Sequence, residues 1–144
     1  MLRKKSDKTK AKQKAWVMFS KYIRLRDCLE TTDDPEWGNC VTCGRRFNFK
    51  KLQAGHFLGG RRNANLFDER GVHAQCQGCN LWGGGQHTKY HAYMEKKYGN
   101  EVINELVRQD NKYKKYIEAD YIELYQKYKQ AYEELVQQAR LSIF

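Results

Sequence analysis

CVTC at residues 40–43 and CQGCN at residues 76–80 are the two most informative segments of this 144-residue chain. Each CxxC pair places two thiolates on one tight turn, and two such turns complete a tetrahedral zinc site. Disulfides would use the same side chains. However, the basic first residues are not followed by an apolar stretch, so we expect no secretory signal and no oxidising compartment. We therefore predict one structural Zn²⁺ ion, bound by Cys40, Cys43, Cys76 and Cys79.

The charge of the chain favours nucleic acid as its partner. There are 27 Lys and Arg residues against 17 Asp and Glu, a formal net charge of +10. The basic side chains concentrate in residues 1–26 and 45–88, whereas residues 27–44 carry acids alone. Clustered Lys and Arg neutralise phosphates and release counterions, although a basic surface also serves solubility. No apolar run approaches the roughly 20 residues that span a bilayer, so we expect no membrane partner.

The segment between the two cysteine pairs carries the candidate chemistry. Apolar residues alternate in residues 47–52 and predict a short strand or hairpin that leads to Gly55 and His56. A histidine in such a strand, with Asn80 directly after the last cysteine, is the layout of a zinc-braced ββα-metal nuclease site. His56 is the candidate general base because imidazole titrates near neutral pH; otherwise it fills space or binds phosphate.

The remaining candidate residues would bind a cation or DNA. The amide oxygen of Asn80 suits Mg²⁺ or Mn²⁺, hard cations that prefer oxygen ligands, although Asn is equally suited to cap a helix. Basic residues flank the proposed site on both sides and are the predicted DNA contacts; the alternative is a basic loop remote from the scissile phosphate. These residues are Arg45, Arg46, Lys50, Lys51, Arg61 and Arg62.

Four segments together resemble a known family. They read CVTCG, QAGHF, FDERGVHAQCQGCN and GGGQHTKYHAYMEKKYG, and they are similar to the phage recombination endonucleases called NinG or Rap, over about residues 16–135. These are HNH-type (His-Me finger) enzymes. The resemblance implies metal-dependent endonuclease activity that hydrolyses phosphodiesters of branched DNA, such as Holliday junctions or D-loops. It also implies a cytoplasmic location, in the host bacterium if a phage encodes the chain.

The chain departs from the usual HNH pattern at two glycines. Many HNH sites carry Asp or His as a second metal ligand directly before the base, where this chain has Gly55. Asp68, Glu69 and His73 are the candidate replacements, with Asp68 and His73 preferred; alternatively the two acids are a solvated loop pair and His73 is a strand-end histidine. Gly71 stands where these enzymes carry the middle Asn, which braces the loop bearing the base. Two outcomes are open: the loss slows catalysis, or a nearby residue such as Asn63 or Asn65 compensates for it.

The predicted fold class is α+β, mainly α. A ββα-metal, HNH-like core with the four-cysteine zinc site is flanked by an N-terminal helix and a long C-terminal helix. The predicted divisions are a basic flexible arm at 1–9 and a single nuclease domain at 10–144. Within that domain we predict a helix at 10–28, the zinc core at 38–98 and a helical C-terminal part at 100–140.

The final helix is predicted from Asn111 to Ala139, with an apolar seam close to coiled-coil spacing. Such a seam would pack on the N-terminal helix or pair with a second subunit, so a homodimer is a hypothesis. Two other functions compete with the branched-DNA endonuclease. One is an HNH enzyme that nicks ordinary duplex DNA, and the other is a non-catalytic zinc module that binds DNA as a recombination accessory. The seam consists of Tyr113, Ile117, Tyr121, Leu124, Tyr128, Ala131 and Leu135.

Overall fold

The computed structural model describes residues 3–141, which form a mainly helical fold with two small antiparallel sheets. Three shorter helical turns, at Phe49–Lys51, Glu69–Gly71 and Gly78–Trp82, connect these elements. The helices are α1 (Asp7–Thr32), α2 (Asn63–Leu66), α3 (His87–Tyr98), α4 (Asn100–Asp110) and α5 (Glu118–Leu141). The strands are β1 (Trp37–Asn39), β2 (Arg46–Asn48), β3 (Leu52–His56) and β4 (Val72–Cys76).

Helix α1 is longer at both ends than the predicted helix at 10–28. It begins at Asp7 because the side chain of Ser6 accepts a hydrogen bond from the backbone N–H of Thr9, at 3.2 Å. It ends where Asp33 adopts a left-handed conformation and donates its N–H to the carbonyl of Leu29. Residues 7–9 of the predicted flexible arm are therefore helical, and residues 1–2 of that arm lie outside the described residues.

The main core lies between α1 and α5, which pack along each other, and α1 also packs against β3 and β4. At its centre the rings of Phe19 and Tyr128 meet edge to face, with centroids 4.8 Å apart. Tyr121 of α5 and Val72 of β4 are buried in the same cluster. The apolar stripe of α5 is thus covered by α1 of the same chain, which is one of the two arrangements that its spacing predicted.

The predicted start of the final helix at Asn111 is wrong: α5 begins at Glu118. The start is displaced because the side chain of Asp120, the third residue of α5, accepts a hydrogen bond from the backbone N–H of Ile117, at 2.8 Å, as in a capping box. Residues 111–117 instead run as a connection, and the Asn63 side chain donates to the Lys114 carbonyl within it. Two predicted seam residues fall in this connection and are exposed: Tyr113 and Ile117.

The two sheets bring the cysteine pairs towards each other. β1 pairs with β2, and β3 pairs with β4, both antiparallel. The backbone N–H of Val41 donates to the carbonyl of Ala74 and so links the first cysteine turn to β4. In the β3–β4 pair, Gly55 lies opposite His73 and His56 lies opposite Val72. Since side chains alternate along a strand, the Gly55 and His56 positions belong to opposite faces of this sheet.

Candidate functional site

Four cysteines form a cluster that could bind a structural metal ion such as zinc. The Sγ atoms of Cys40, Cys43, Cys76 and Cys79 all lie within 4.8 Å of one another. The Sγ atoms of Cys43 and Cys76 are 3.9 Å apart. A disulfide requires about 2.05 Å, whereas two thiolates on one tetrahedral zinc ion lie about 3.8 Å apart. The spacing therefore fits a metal site, as the sequence predicted.

Backbone hydrogen bonds shape the two turns that present these thiols. The N–H of Cys40 donates to the carbonyl of Arg45, and the N–H of Gly44 donates back to the carbonyl of Cys40. Gly44 has a φ of 75°, a left-handed conformation that glycine adopts without steric cost. In the second turn the N–H of Cys79 points at the sulfur of Cys76, at 3.4 Å. These bonds pre-form the cluster in the folded chain.

His56 ends β3 and is half-buried against α1. Its imidazole stacks on the indole of Trp16, with centroids 5.2 Å apart and ring planes inclined by 16°. Its Nε2 lies 3.2 Å from the carbonyl oxygen of Leu66. A carbonyl only accepts, so this contact assigns the ring proton to Nε2 and leaves Nδ1 as the proton acceptor. The structure thus holds His56 in one orientation.

The surroundings of His56 favour its neutral form. Burial lowers the pKa of His56 below 6.5; the Leu66 carbonyl opposes this shift, and the charge of Arg61 adds to it. The Arg61 guanidinium lies 4.5 Å from the centroid of the Trp16 ring. Trp16 therefore contacts both the imidazole and the guanidinium. Sequence reasoning missed this role of Trp16, because its position on an amphipathic helix indicated only a core residue.

Asn80 lies beside Gly55, on the other face of β3 from His56. Its Nδ2 donates to Oε1 of Gln53, at 2.9 Å. Its Oδ1 lies 3.0 Å from the point where a Cβ would stand on Gly55. The hydroxyl of Tyr90, on α3, donates a hydrogen bond to the Gly55 carbonyl at 2.7 Å and so links α3 to this part of β3. Asn80 sits within the helical turn Gly78–Trp82, so its side chain is directed at the strand and does not cap a helix.

The carboxylate of Asp68 is occupied by protein donors. Arg70 donates to both of its oxygens, at 3.1 and 2.9 Å, and Gln109 donates to Oδ2 at 2.8 Å. Burial raises the pKa of Asp68, but the bonds from Arg70 and Gln109 outweigh burial and lower it overall. Asp68 therefore stays ionised, and its oxygens stabilise this loop in the described arrangement.

His73 is fully buried and has partners on both ring nitrogens. Nδ1 lies 3.2 Å from Oδ2 of Asp27, and Nε2 lies 3.0 Å from the carbonyl of Arg70 and 3.1 Å from the Tyr98 hydroxyl. A ring with both nitrogens engaged in the interior presents no lone pair to a cation. In this arrangement His73 is a structural residue that joins α1, β4 and α3.

Asp27 is the centre of that buried network, which the sequence did not reveal. Its carboxylate accepts hydrogen bonds from the backbone N–H of Ala74 at 2.7 Å and from Arg26 Nε at 2.8 Å. Arg26 also donates to the carbonyls of Glu69 and Val72. Burial opposes ionisation, but the contacts with His73 and Arg26 prevail and lower the pKa of Asp27 to about 2. The one sequence feature that could have indicated this network is the presence of an acid, Asp27, on the buried face of α1.

Asn65 lies where compensation for Gly71 was predicted. His56, Asn65 and Gly71 line one small cavity. The carbonyl of Gly71 accepts the backbone N–H of Phe57, directly after His56, at 2.8 Å. Asn65 is buried and donates to the Leu106 carbonyl at 2.9 Å. The backbone of Gly71 thus braces the end of β3, whereas the side-chain amide of Asn65 is bonded to α4.

The predicted DNA contacts separate into two groups. Arg61 and Arg62 follow β3 on the His56 side, where both side chains are exposed. The other four precede β3 and are exposed near the first cysteine turn and the Phe49–Lys51 turn: Arg45, Arg46, Lys50 and Lys51. Strand β3 and the loop after it, residues 52–60, separate the two groups along the chain. Of the six, Arg61 has a charge that acts on His56.

A model of a protein family described as "NinG: Bacteriophage Lambda NinG protein" matches residues 1–138. The chain therefore belongs to the NinG family, a phage family related to recombination. Neither the curated proteins nor the solved structures contain a significant match to this chain. Within the described residues, each helix is too short or too polar to cross a bilayer.

Proposed function

We propose that this protein is a metal-dependent endonuclease that hydrolyses phosphodiesters in branched DNA, such as Holliday junctions or D-loops. The observation that carries the proposal is the environment of His56. Its imidazole is neutral, is oriented by the Leu66 carbonyl and lies near the charge of Arg61. A neutral imidazole with a free lone pair is what a general base requires at neutral pH. Membership of a recombination-related phage family supports the choice of DNA as substrate.

In the proposed mechanism, Nδ1 of His56 removes a proton from the attacking water. Arg61 binds the phosphate and places it at the end of β3. A hard divalent cation would be held by Asn80 and would supply a positive charge that stabilises the phosphate oxygens. Gly55 and His56 are neighbours at this strand end, with Cα atoms about 3.8 Å apart. We propose that one phosphate bound at this end contacts groups on both faces.

The exposed residues next to Asn80 support a branched substrate. Leu81 is 54% exposed and Trp82 is 81% exposed, although both are large apolar side chains. Bases at a branch point are less stacked than bases within a duplex, and an exposed indole stacks well on such bases. Ordinary duplex DNA offers no such surface without distortion. We propose that Trp82 contacts the branch point.

Two other functions make different predictions. An HNH enzyme for ordinary duplex would cut linear and branched DNA equally. A recombination accessory would bind without cutting, and the placement of Asn80 and His56 on opposite faces of β3 favours this second candidate over the first.

A homodimer stays a prediction: two symmetric cuts in a four-way junction take two active sites. Light scattering of the protein on a junction measures this directly.

The experiment is cleavage of a labelled four-way junction beside a matched linear duplex, in Mg²⁺, Mn²⁺ or EDTA. The proposal predicts metal-dependent cuts near the branch point and little cutting of the duplex. Equal cutting of both substrates would replace it with the general HNH nuclease. Tight binding of the junction without cuts in either metal would replace it with the accessory.

A further inference from the structure

Gln75 of β4 is a fully buried amide with one half left unpaired. Its Nε2 donates to the Gly85 carbonyl at 2.9 Å and to the Thr42 hydroxyl at 3.2 Å. Its Oε1 has no hydrogen-bond partner. Among the described residues, every other buried side-chain nitrogen or oxygen has one. Buried polar atoms are almost always paired, so an unpaired one calls for a functional reason.

The orientation of this amide follows from its partners. Rotating the amide by 180° would direct Oε1 at the Gly85 carbonyl, and two acceptor oxygens would then face each other. Nε2 must therefore stay on the Gly85 side. Oε1 is consequently directed at Gly55, and a Cβ on Gly55 would overlap it. The absence of a side chain at residue 55 makes room for this oxygen.

A second oxygen lies at the same place. Oδ1 of Asn80 is 3.0 Å from the point where the Gly55 Cβ would stand, and the Nδ2 of Asn80 is turned away towards Gln53. Two amide oxygens thus converge beside Gly55 from β4 and from the helical turn Gly78–Trp82. Carboxamide oxygens at 2.0 to 2.6 Å are ordinary ligands of hard divalent cations.

We propose that Gln75 Oε1 and Asn80 Oδ1 together bind a divalent cation such as Mg²⁺ or Mn²⁺. Gln75 supplies, from the neighbouring strand, the ligand that a side chain at residue 55 would otherwise supply. The proposal rests on the proposed function, since it names the second protein ligand of the same cation. Both ligands are neutral, so the cation binds weakly to the free protein and more tightly when a DNA phosphate completes its shell.

The test uses MnCl₂ and the zinc-loaded full-length protein without DNA. Paramagnetic Mn²⁺ broadens NMR signals of nearby amides and detects weak binding. In the wild type, the backbone signals of Gly55, Gln75 and Asn80 should broaden at the lowest Mn²⁺ concentrations. Gln75→Ala should require at least about tenfold more Mn²⁺ for the same broadening, since one of two protein ligands is lost. Gln77→Ala, an exposed neighbour, is the matched control and should behave as wild type.

The decisive variant is the double substitution Gly55→Asp with Gln75→Ala. Removing the Gln75 side chain makes room for a carboxylate at residue 55, which restores an oxygen at the same place and adds a negative charge. This variant should bind Mn²⁺ at least as tightly as the wild type. Equal Mn²⁺ binding by wild type and Gln75→Ala would overturn the proposal. So would a double variant that binds no better than Gln75→Ala.

Two further variants keep the test decisive if Gln75→Ala fails to fold. Asn80→Ala should weaken Mn²⁺ binding and Asn80→Asp should tighten it; unchanged binding in both overturns the proposal. The outcome is separable from nuclease activity. A protein that binds Mn²⁺ as described but cuts no DNA retains the cation site and loses the proposed function. If the wild type cuts a junction but Gln75→Ala binds Mn²⁺ normally, the proposed function is retained and the cation site is lost.

Discussion

The indole of Trp16 stacks on the imidazole of His56, with ring centroids 5.2 Å apart. Trp16 lies on α1 and His56 ends β3, so this contact ties the proposed base to the N-terminal helix of the fold. The same indole carries the Arg61 guanidinium at 4.5 Å from its centroid. One side chain therefore contacts both His56 and Arg61, the residue that we propose binds the phosphate.

The first prediction concerns the pH dependence of cleavage. Burial lowers the pKa of His56 below 6.5, so the neutral, active form persists to more acidic pH. The value of kcat/KM should rise with pH through an apparent pKa below 6.5 and stay level above it. Trp16→Ala exposes the imidazole and should raise the apparent pKa of the pH profile towards 6.5. It should also lower kcat by roughly tenfold or more, because the imidazole is less well oriented.

The control for this prediction is Trp16→Phe, which keeps an aromatic surface and should retain most of the shift. The same pKa affects stability. A neutral His56 favours the folded state above pH 6.5, and this contribution is lost as pH falls through the lowered pKa. An unchanged pH profile in Trp16→Ala would show that the stacked indole does not set the protonation of the base.

The second prediction concerns Asp27, the buried acid that binds His73 and Arg26. Its pKa is about 2 in the folded protein against 3.8 when unperturbed, so its charge contributes about 2 kcal/mol to stability at neutral pH. That contribution is present above pH 3.8 and is lost as the pH falls towards 2. Asp27→Asn should lower the free energy of unfolding by about 3 kcal/mol, measured by urea denaturation at pH 7.

The matched control is Asp33→Asn, an exposed acid just beyond α1. This variant should change the free energy of unfolding by no more than about 0.5 kcal/mol. Equal stabilities of the two variants would mean that the network around His73 does not depend on the Asp27 charge.

The third prediction concerns the cysteine cluster. The purified protein should contain one zinc ion per chain, and Cys43→Ser should lose it, because a hydroxyl is a poor zinc ligand. Chelation should also lower the melting temperature, since a structural metal stabilises only the folded chain. Elemental analysis and thermal denaturation measure both effects. Cys28→Ser, in a buried cysteine outside the cluster, should retain the zinc; a similar loss in both serine variants would contradict a four-cysteine site.

The fourth prediction concerns Trp82, which is 81% exposed beside Asn80. Trp82→Ala should weaken binding to a four-way junction by about tenfold, the effect of losing one base–aromatic stack. Binding to linear duplex should change little. Ile122→Ala removes a 45% exposed apolar side chain from α5 and should leave both affinities unchanged. Equal weakening on junction and duplex would argue against a role for Trp82 at the branch point.

Local spacing predicted the parts of this protein that depend on neighbouring residues. The two CxxC pairs bring Cys40, Cys43, Cys76 and Cys79 together, and the helical periodicity of α1 and α5 indicated their buried faces. Helix ends were less predictable because single side chains set them. The Ser6 cap lets α1 begin at Asp7, before the predicted start at Lys10. The Asp120 bond sets the start of α5 at Glu118, after the predicted start at Asn111.

The contacts around the candidate site could not be predicted from any one segment. Trp16 meets His56, Asp27 meets His73, and Gln75 meets Gly55, and in each pair the partners come from different elements of the fold. Such pairs depend on how α1 crosses the β3–β4 sheet and on the register of its strands. In the sequence, Gly55 before the proposed base indicated only a missing ligand. The structure shows that Gln75 Oε1 occupies the space that a side chain at residue 55 would take.

The most direct test of the account is single-turnover cleavage of a four-way junction by His56→Ala, compared with wild type and with His91→Ala. His91 is a half-exposed histidine of α3 that lies 3.8 Å from Glu95 and serves as the matched control. His56→Ala should lose cleavage by about 10²-fold or more while zinc content and junction binding are retained. His91→Ala should cut as the wild type does. Cleavage by His56→Ala at the wild-type rate would contradict the central claim that His56 is the general base.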